Sequence, residues 1–166
     1  MKQNGQLNIE FIIDVALFSA IIFAIIGIII SEIPRAYSIH EENYVKSKTY
    51  QISEILLFDR GDPINWTSES MDKIKRFGFS SGKNYYVNMT KINKFLNFCN
   101  NNYTGVLSKF DIKDRDIVVI IRNSNGIIGE CGIKRKESYS TIKRFGIFYN
   151  ETEGKYETVG IEIGVY

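Results

Sequence analysis

Glu10 and Asp14 are two carboxylates set four residues apart at the head of an otherwise apolar run. Residues at that spacing share one face of a helix. Paired acids can divide acid and base work between them, but nothing nearby in the sequence supplies a substrate pocket, and no catalytic residue is assigned. What the pair does offer is electrostatic. Two like charges beside hydrocarbon need a cation, a partner subunit or a polar boundary. Cys99 and Cys131 could form one disulfide in an oxidising exterior, or serve as two small buried hydrophobes. Four Asn-x-Thr sequons, at Asn65, Asn88, Asn102 and Asn150, present amides suited to N-glycosylation outside the cell. His40 is the single histidine, so a histidine-based metal site or triad is not expected. No P-loop, HExxH or Rossmann fingerprint occurs. The expectation is a non-enzymatic protein with no cofactor and no metal.

The carboxylates are positioned by the run from Phe11 to Ile30, interrupted by polar side chains only at Asp14 and Ser19. About twenty helical residues span roughly 30 Å, the hydrocarbon thickness of a bilayer. Ile21, Ile22, Phe23, Ile25, Ile26, Ile28, Ile29 and Ile30 cover every face, whereas a buried helix of a soluble domain usually keeps a polar stripe. A cleaved secretory signal has a shorter apolar core and a small-residue cut site, and Ile30-Ser31-Glu32-Ile33-Pro34 does not provide one. The run therefore reads as a transmembrane helix retained in the mature chain. Charges flanking it are few, Lys2 before and Arg35 after, so the positive-inside rule counts little. A short leader and a large C-terminal part favour an external domain. A net charge of +2 gives no reason to expect nucleic acid, and Lys134-Arg135-Lys136 and Lys143-Arg144 read as solvated strand faces.

The fold class expected is α+β. Pro34 should kink or break the first helix. Arg35 to Phe58 looks helical again, with Tyr37, Tyr44, Ile52 and Ile55 near one face and Val45 and Leu56 beside them. Residues 6–58 thus form one long transmembrane and stalk helix kinked near Pro34, and 59–166 form an external head. In the head, Gly61-Asp62-Pro63 is a turn. Thr67 is placed to cap a helix over Ser68–Phe77, and Thr90 a second helix ending at Asn100-Asn101-Asn102. A helical turn around Val106, Leu107 and Phe110 follows. From Asp116 the period changes to two. Ile117 to Ile121 and Ile127 to Ile133 join across Asn125-Gly126, and Tyr139 to Tyr149 and Lys155 to Tyr166 join across residues 150–154. An antiparallel sheet of about four strands, packed on the short helices and the end of the stalk, is expected. Trp66 and the tyrosines read as core or turn anchors more than as a binding face.

The leader and junction resemble those of archaeal type IV pilin-like proteins, which carry class III signal peptides. Gly5 and Gln6 match the family's cleavage junction, Glu10 its carboxylate, and Phe11 the aromatic that follows; Asn8 stands where Ser is common, and one Lys replaces a basic cluster. Gly61-Asp62-Pro63-Ile64-Asn65-Trp66-Thr67 also resembles a Gly-x-Pro-x-Asn-Trp element of a subset of that family. The resemblance implies that residues 1–5 are a leader removed by a prepilin peptidase. It also implies that Glu10 pairs with the new α-amine of a neighbouring subunit, and that the hydrophobic helix leaves the lipid bilayer to join other pilin subunits in a cell-surface filament, with adhesion as the cellular role. Without processing, Glu10 would simply rest among lipid headgroups, and the chain would be a single-pass membrane protein with an external binding domain. A membrane-anchored enzyme is a third, weaker reading, which would need a concave polar pocket in the head.

Overall fold

A computed structural model describes residues 4–112, 115–132, 140–151 and 153–166, with side chains from residue 9 onward. The order is helix α1 (Asn4–Phe58), helix α2 (Met89–Leu107) and strands β1 (Ile117–Asn123), β2 (Gly126–Cys131), β3 (Ser140–Asn150) and β4 (Lys155–Val165). Two compact units divide the chain, Met1–Glu42 and Asn43–Tyr166.

The described part of the first unit is helix throughout. Pro34 lies inside α1, and helical backbone continues on both sides of it. The helix is not broken there, contrary to one of the two outcomes expected. The missing N–H costs one hydrogen bond of the ladder, while the backbone before and after it stays helical.

The second unit holds the core. Its helical segment contributes Val45, Thr49, Ile52 and Leu56, a buried stripe at spacings of four, three and four. Glu41 and Lys48 interrupt the face read from sequence, which makes its first half solvated or packed against other copies; Tyr37, in that half, is exposed. The two small polar residues that enter the core satisfy themselves locally: Thr49 Oγ1 donates to the Val45 carbonyl and Ser53 Oγ to that of Tyr50, each over 2.7 Å.

The expected helix over Ser68–Phe77 is replaced by two short 3-10 turns, Trp66–Ser68 and Met71–Lys73. Tertiary hydrogen bonds override the helical spacing: Asp62 N–H donates to the Arg76 carbonyl and Lys75 N–H to that of Asp62. This pairing leaves no helix for Thr67 to cap. In α2 the cap is Asn88, two residues ahead of Thr90; its Oδ1 accepts from the N–H groups of Thr90 and Lys91. Asn102 interrupts α2 with non-helical backbone, after which a last turn leads into Ser108–Phe110.

The four strands are antiparallel in the order β2-β1-β4-β3. The two hairpins therefore meet side by side through β1 and β4. The first hairpin turns at Ser124-Asn125, with Asn123 opposite Gly126, one residue earlier than the Asn125-Gly126 pair suggests. Alternation sends Ile117, Val119 and Ile121, with Val159, Ile161, Ile163 and Val165, into the core. The expected ends of β2 at Ile133 and of β3 at Tyr139 lie outside the described residues, as do Lys134-Arg135-Lys136. At the outer edge of the sheet, residues 85–87 cover β3: Val87 N–H donates to the Ile147 carbonyl, and Ile147 N–H to that of Tyr85.

Candidate assembly segment and head sites

Between Ile9 and Ile33, sixteen large apolar side chains are exposed on α1, from Ile9 and Phe11 through Ile30 and Ile33. Covering such a side chain is worth about 1.5–3 kcal/mol, so leaving all of them in water forgoes tens of kcal/mol. That exceeds the net stability of an ordinary domain. The segment is long and apolar enough to cross a membrane.

Glu10 and Asp14 sit within this surface, one turn apart and exposed, with Phe11 between them at 69 % exposure. Neither carboxylate has a hydrogen bond or ion pair among the described residues. Taken into hydrocarbon or a packed bundle, an unpaired carboxylate is strongly disfavoured. In such a setting the pair needs a counter-charge, a proton or a polar boundary. Gly5 and Gln6 lie in the first helical turns of α1; the Gln6 side chain and residues 1–3 of the expected leader lie outside the described residues. His40 is exposed on α1.

In the head, Cys99 of α2 and Cys131 at the end of β2 are joined as a disulfide with Cα atoms 5.4 Å apart, tying the helix to one edge strand. The four sequon asparagines differ in what their side chains do. Asn65 is exposed at the start of the first 3-10 turn, without a capping bond. Asn88 caps α2 through Oδ1, and Asn102 Oδ1 accepts from Gly105 N–H over 2.9 Å; both residues are exposed. Asn150 is half-buried and its Nδ2 donates to Glu157 Oε1 over 2.6 Å. Thr152 of that sequon lies outside the described residues.

Two groups had no signal in the sequence. Lys91 is nearly buried in α2 and donates from Nζ to the carbonyls of Arg60 and Ser80. Burial, and then the neighbouring Arg60 guanidinium, push its ammonium below the ordinary lysine range, against the pull of Asp59. Arg144 of β3 reaches the helical segment of its own unit. It pairs with Glu54 at 2.5 Å, donates from Nε to Ser53 Oγ, and lies 4.9 Å over the Tyr50 ring. Its neighbour Lys143 is exposed. Among the described residues no cluster of three or more His, Cys, Asp or Glu is disposed to hold a metal ion.

Comparison of the chain with family models, with curated protein sequences and with solved structures finds no match in any of the three. The architecture nonetheless is pilin-like in its order of elements: a long apolar N-terminal helix, then an antiparallel sheet of four strands.

Proposed function

We propose that the chain is a structural subunit, a pilin or minor pilin, of an archaeal type IV pilus-like surface filament. The precursor inserts in the lipid bilayer, a prepilin peptidase cuts between Gly5 and Gln6, and the freed subunit polymerises through its hydrophobic helix. The external head is displayed on the filament, where it makes adhesive or surface contacts. This reading assigns the chain no catalysis, no cofactor and no nucleic-acid partner.

The observation that supports it best is the apolar surface from Ile9 to Ile33 with Glu10 and Asp14 at its polar end. A simple lipid anchor has no use for carboxylates there. A bundle of processed subunits does, because each cut creates an α-amine on Gln6, and Glu10 of a neighbour supplies its counter-charge. The disulfide between Cys99 and Cys131 agrees with a head exposed to an oxidising exterior.

Two substitutions made in the native host separate assembly from anchoring. Gly5→Val is expected to leave uncut precursor in the membrane and no subunit in sheared surface filaments. Glu10→Ala is expected to be cut and membrane-bound yet depleted from filaments. Wild-type function and surface level for both variants would instead identify a single-pass protein that neither needs the cut nor polymerises.

A further inference from the structure

We propose that Asn88 carries an N-linked glycan whose first sugars lie in a groove between the start of α2 and the end of the sheet. The inference rests on an external head and not on a filament, so its failure leaves cleavage between Gly5 and Gln6 untouched. The groove measures about 810 Å³, within the range of small-molecule sites. Of the four sequon asparagines, Asn88 and Asn150 line it, and Asn150 Nδ2 is bound to Glu157. Asn88 is thus the sequon residue on this wall with an amide nitrogen to offer.

The helix cap holds that amide in one orientation. Asn88 Oδ1 accepts from the N–H groups of Thr90 and Lys91 over 2.9 and 3.3 Å. The carboxamide is planar, so Nδ2 is turned away from the helix end, and it has no partner among the described residues. Asn88 and Thr90 are both exposed, open to a modifying enzyme. The donor is an oligosaccharide linked to a lipid phosphate. A bond forms between Nδ2 and C1 of the first sugar, and the bond from C1 to the phosphate oxygen breaks. The lipid phosphate leaves with the electron pair, and one amide proton passes to a base. Oδ1 keeps both capping bonds throughout, so the start of α2 is preserved in the modified chain.

The groove has two parts. Inside, between α2 and the sheet, lie Ile128 and Phe148, which belong to the core or pack against it, with the amides of Asn93 and Asn123 beside them. Outside, Tyr149 and Tyr156 face each other across β3 and β4, and Tyr86 stacks edge-on against Tyr156 at 5.7 Å. Asn93 makes no hydrogen bond among the described residues, and Asn123 uses only its Oδ1, on the Asn125 N–H. The charged lining is one Lys83 and one Glu151, which favours no ion of either sign. Amides meet sugar hydroxyls as donors and acceptors, and the C–H faces of a pyranose lie against apolar side chains and rings. Attachment selects the occupant. A sugar tethered at Asn88 is present at an effective concentration on the order of 1 mM or more, so contacts too weak to hold a free oligosaccharide suffice.

The test uses the full chain purified from its native host as wild type, Thr90→Val and Thr90→Ser. Thr90→Val removes the sequon and leaves the capping N–H in place; Thr90→Ser keeps both. Glycopeptide mass spectrometry is expected to find a glycan on Asn88 in wild type and Thr90→Ser and none in Thr90→Val. Hydroxyl-radical footprinting then reads where the sugar lies. Ile128 and Tyr149, which line the groove and are remote from Asn88 in sequence, should react about twofold or more slowly in the two glycosylated chains than in Thr90→Val. Phe145, exposed and outside the groove, should react alike in all three. An unmodified Asn88 in wild type would overturn the proposal. So would a modified Asn88 that leaves Ile128 and Tyr149 as reactive as in Thr90→Val, or that shields Phe145 as strongly as the groove.

Discussion

The indole Nε1 of Trp66 donates to the carbonyl of Gly78 over 3.1 Å, in a part of the head where the ring is completely buried. The bond joins the turn after α1 to the strand-like segment that leads toward α2. The same ring occupies the space beside Gly61: a Cβ there would lie 2.3 Å from Trp66 Cδ1, and Gly61 has a φ of +85°. Gly61 and Trp66 are therefore one mechanical unit, in which glycine admits both the backbone turn and the indole.

Trp66→Phe should retain most of the packing yet leave the Gly78 carbonyl buried and unpaired, costing about 1–3 kcal/mol. Gly61→Ala meets both the ring and a left-handed backbone, and a loss of at least about 1–2 kcal/mol is expected. Denaturant titration of the two variants checks this. Melting of Gly61→Ala at the wild-type midpoint would contradict the role given to the indole.

The disulfide encloses a sequence separation of 32 residues between Cys99 and Cys131. Closing a loop of that length restricts the unfolded chain by about 3–4 kcal/mol in the chain-entropy model. Reduction, or the double change Cys99→Ala and Cys131→Ala, should lower stability by about 2–4 kcal/mol. Thermal unfolding with and without reductant measures it, and an unchanged midpoint would show that the bond adds nothing.

Lys91 gives a pH dependence with a definite sign. Its folded-state pKa lies below the ordinary 10.5, so across the interval between the two values the unfolded chain holds the proton and the folded chain does not. Stability must rise with pH in that interval. The penalty is fully present below the folded pKa and is gone above 10.5. The difference in unfolding free energy between wild type and Lys91→Met should therefore move in favour of wild type as the pH is raised toward 10.5. Chemical denaturation at several pH values tests this, and a flat or falling difference would contradict it.

The sequons should not be equivalent. Asn65, Asn88 and Asn102 are exposed, whereas the Asn150 amide nitrogen that a glycan would occupy is bound to the buried Glu157. Glycopeptide mass spectrometry of the native protein is expected to find any glycan on the first three and none on Asn150. A fully occupied Asn150 would show that the Asn150–Glu157 bond does not persist.

Much of this fold was legible because some signals are local. The apolar run from Phe11 to Ile30 needs no tertiary context to be a helix, and the alternation of Val159, Ile161, Ile163 and Val165 needs only a sheet to lie on. Asn125-Gly126 announced the first hairpin and misplaced its turn by one residue, because Gly126, with a φ of +133°, opens β2 and pairs with Asn123. Residues 68–77 misled more. Met71, Ile74 and Phe77 have helical spacing, but the backbone pairing of Asp62 with Lys75 and Arg76 holds the segment in turns and extended chain. Lys91 was invisible, since one lysine near a helix start carries no mark of the two carbonyls that await it.

Assembly as proposed hinges on cleavage of the bond between Gly5 and Gln6. The mature N-terminus of the native protein, read by sequencing and intact mass from membranes and from sheared surface material, tests it most directly. Chains that begin at Gln6 are expected in the surface fraction. Chains that retain Met1, or that begin after Ile30, would contradict it.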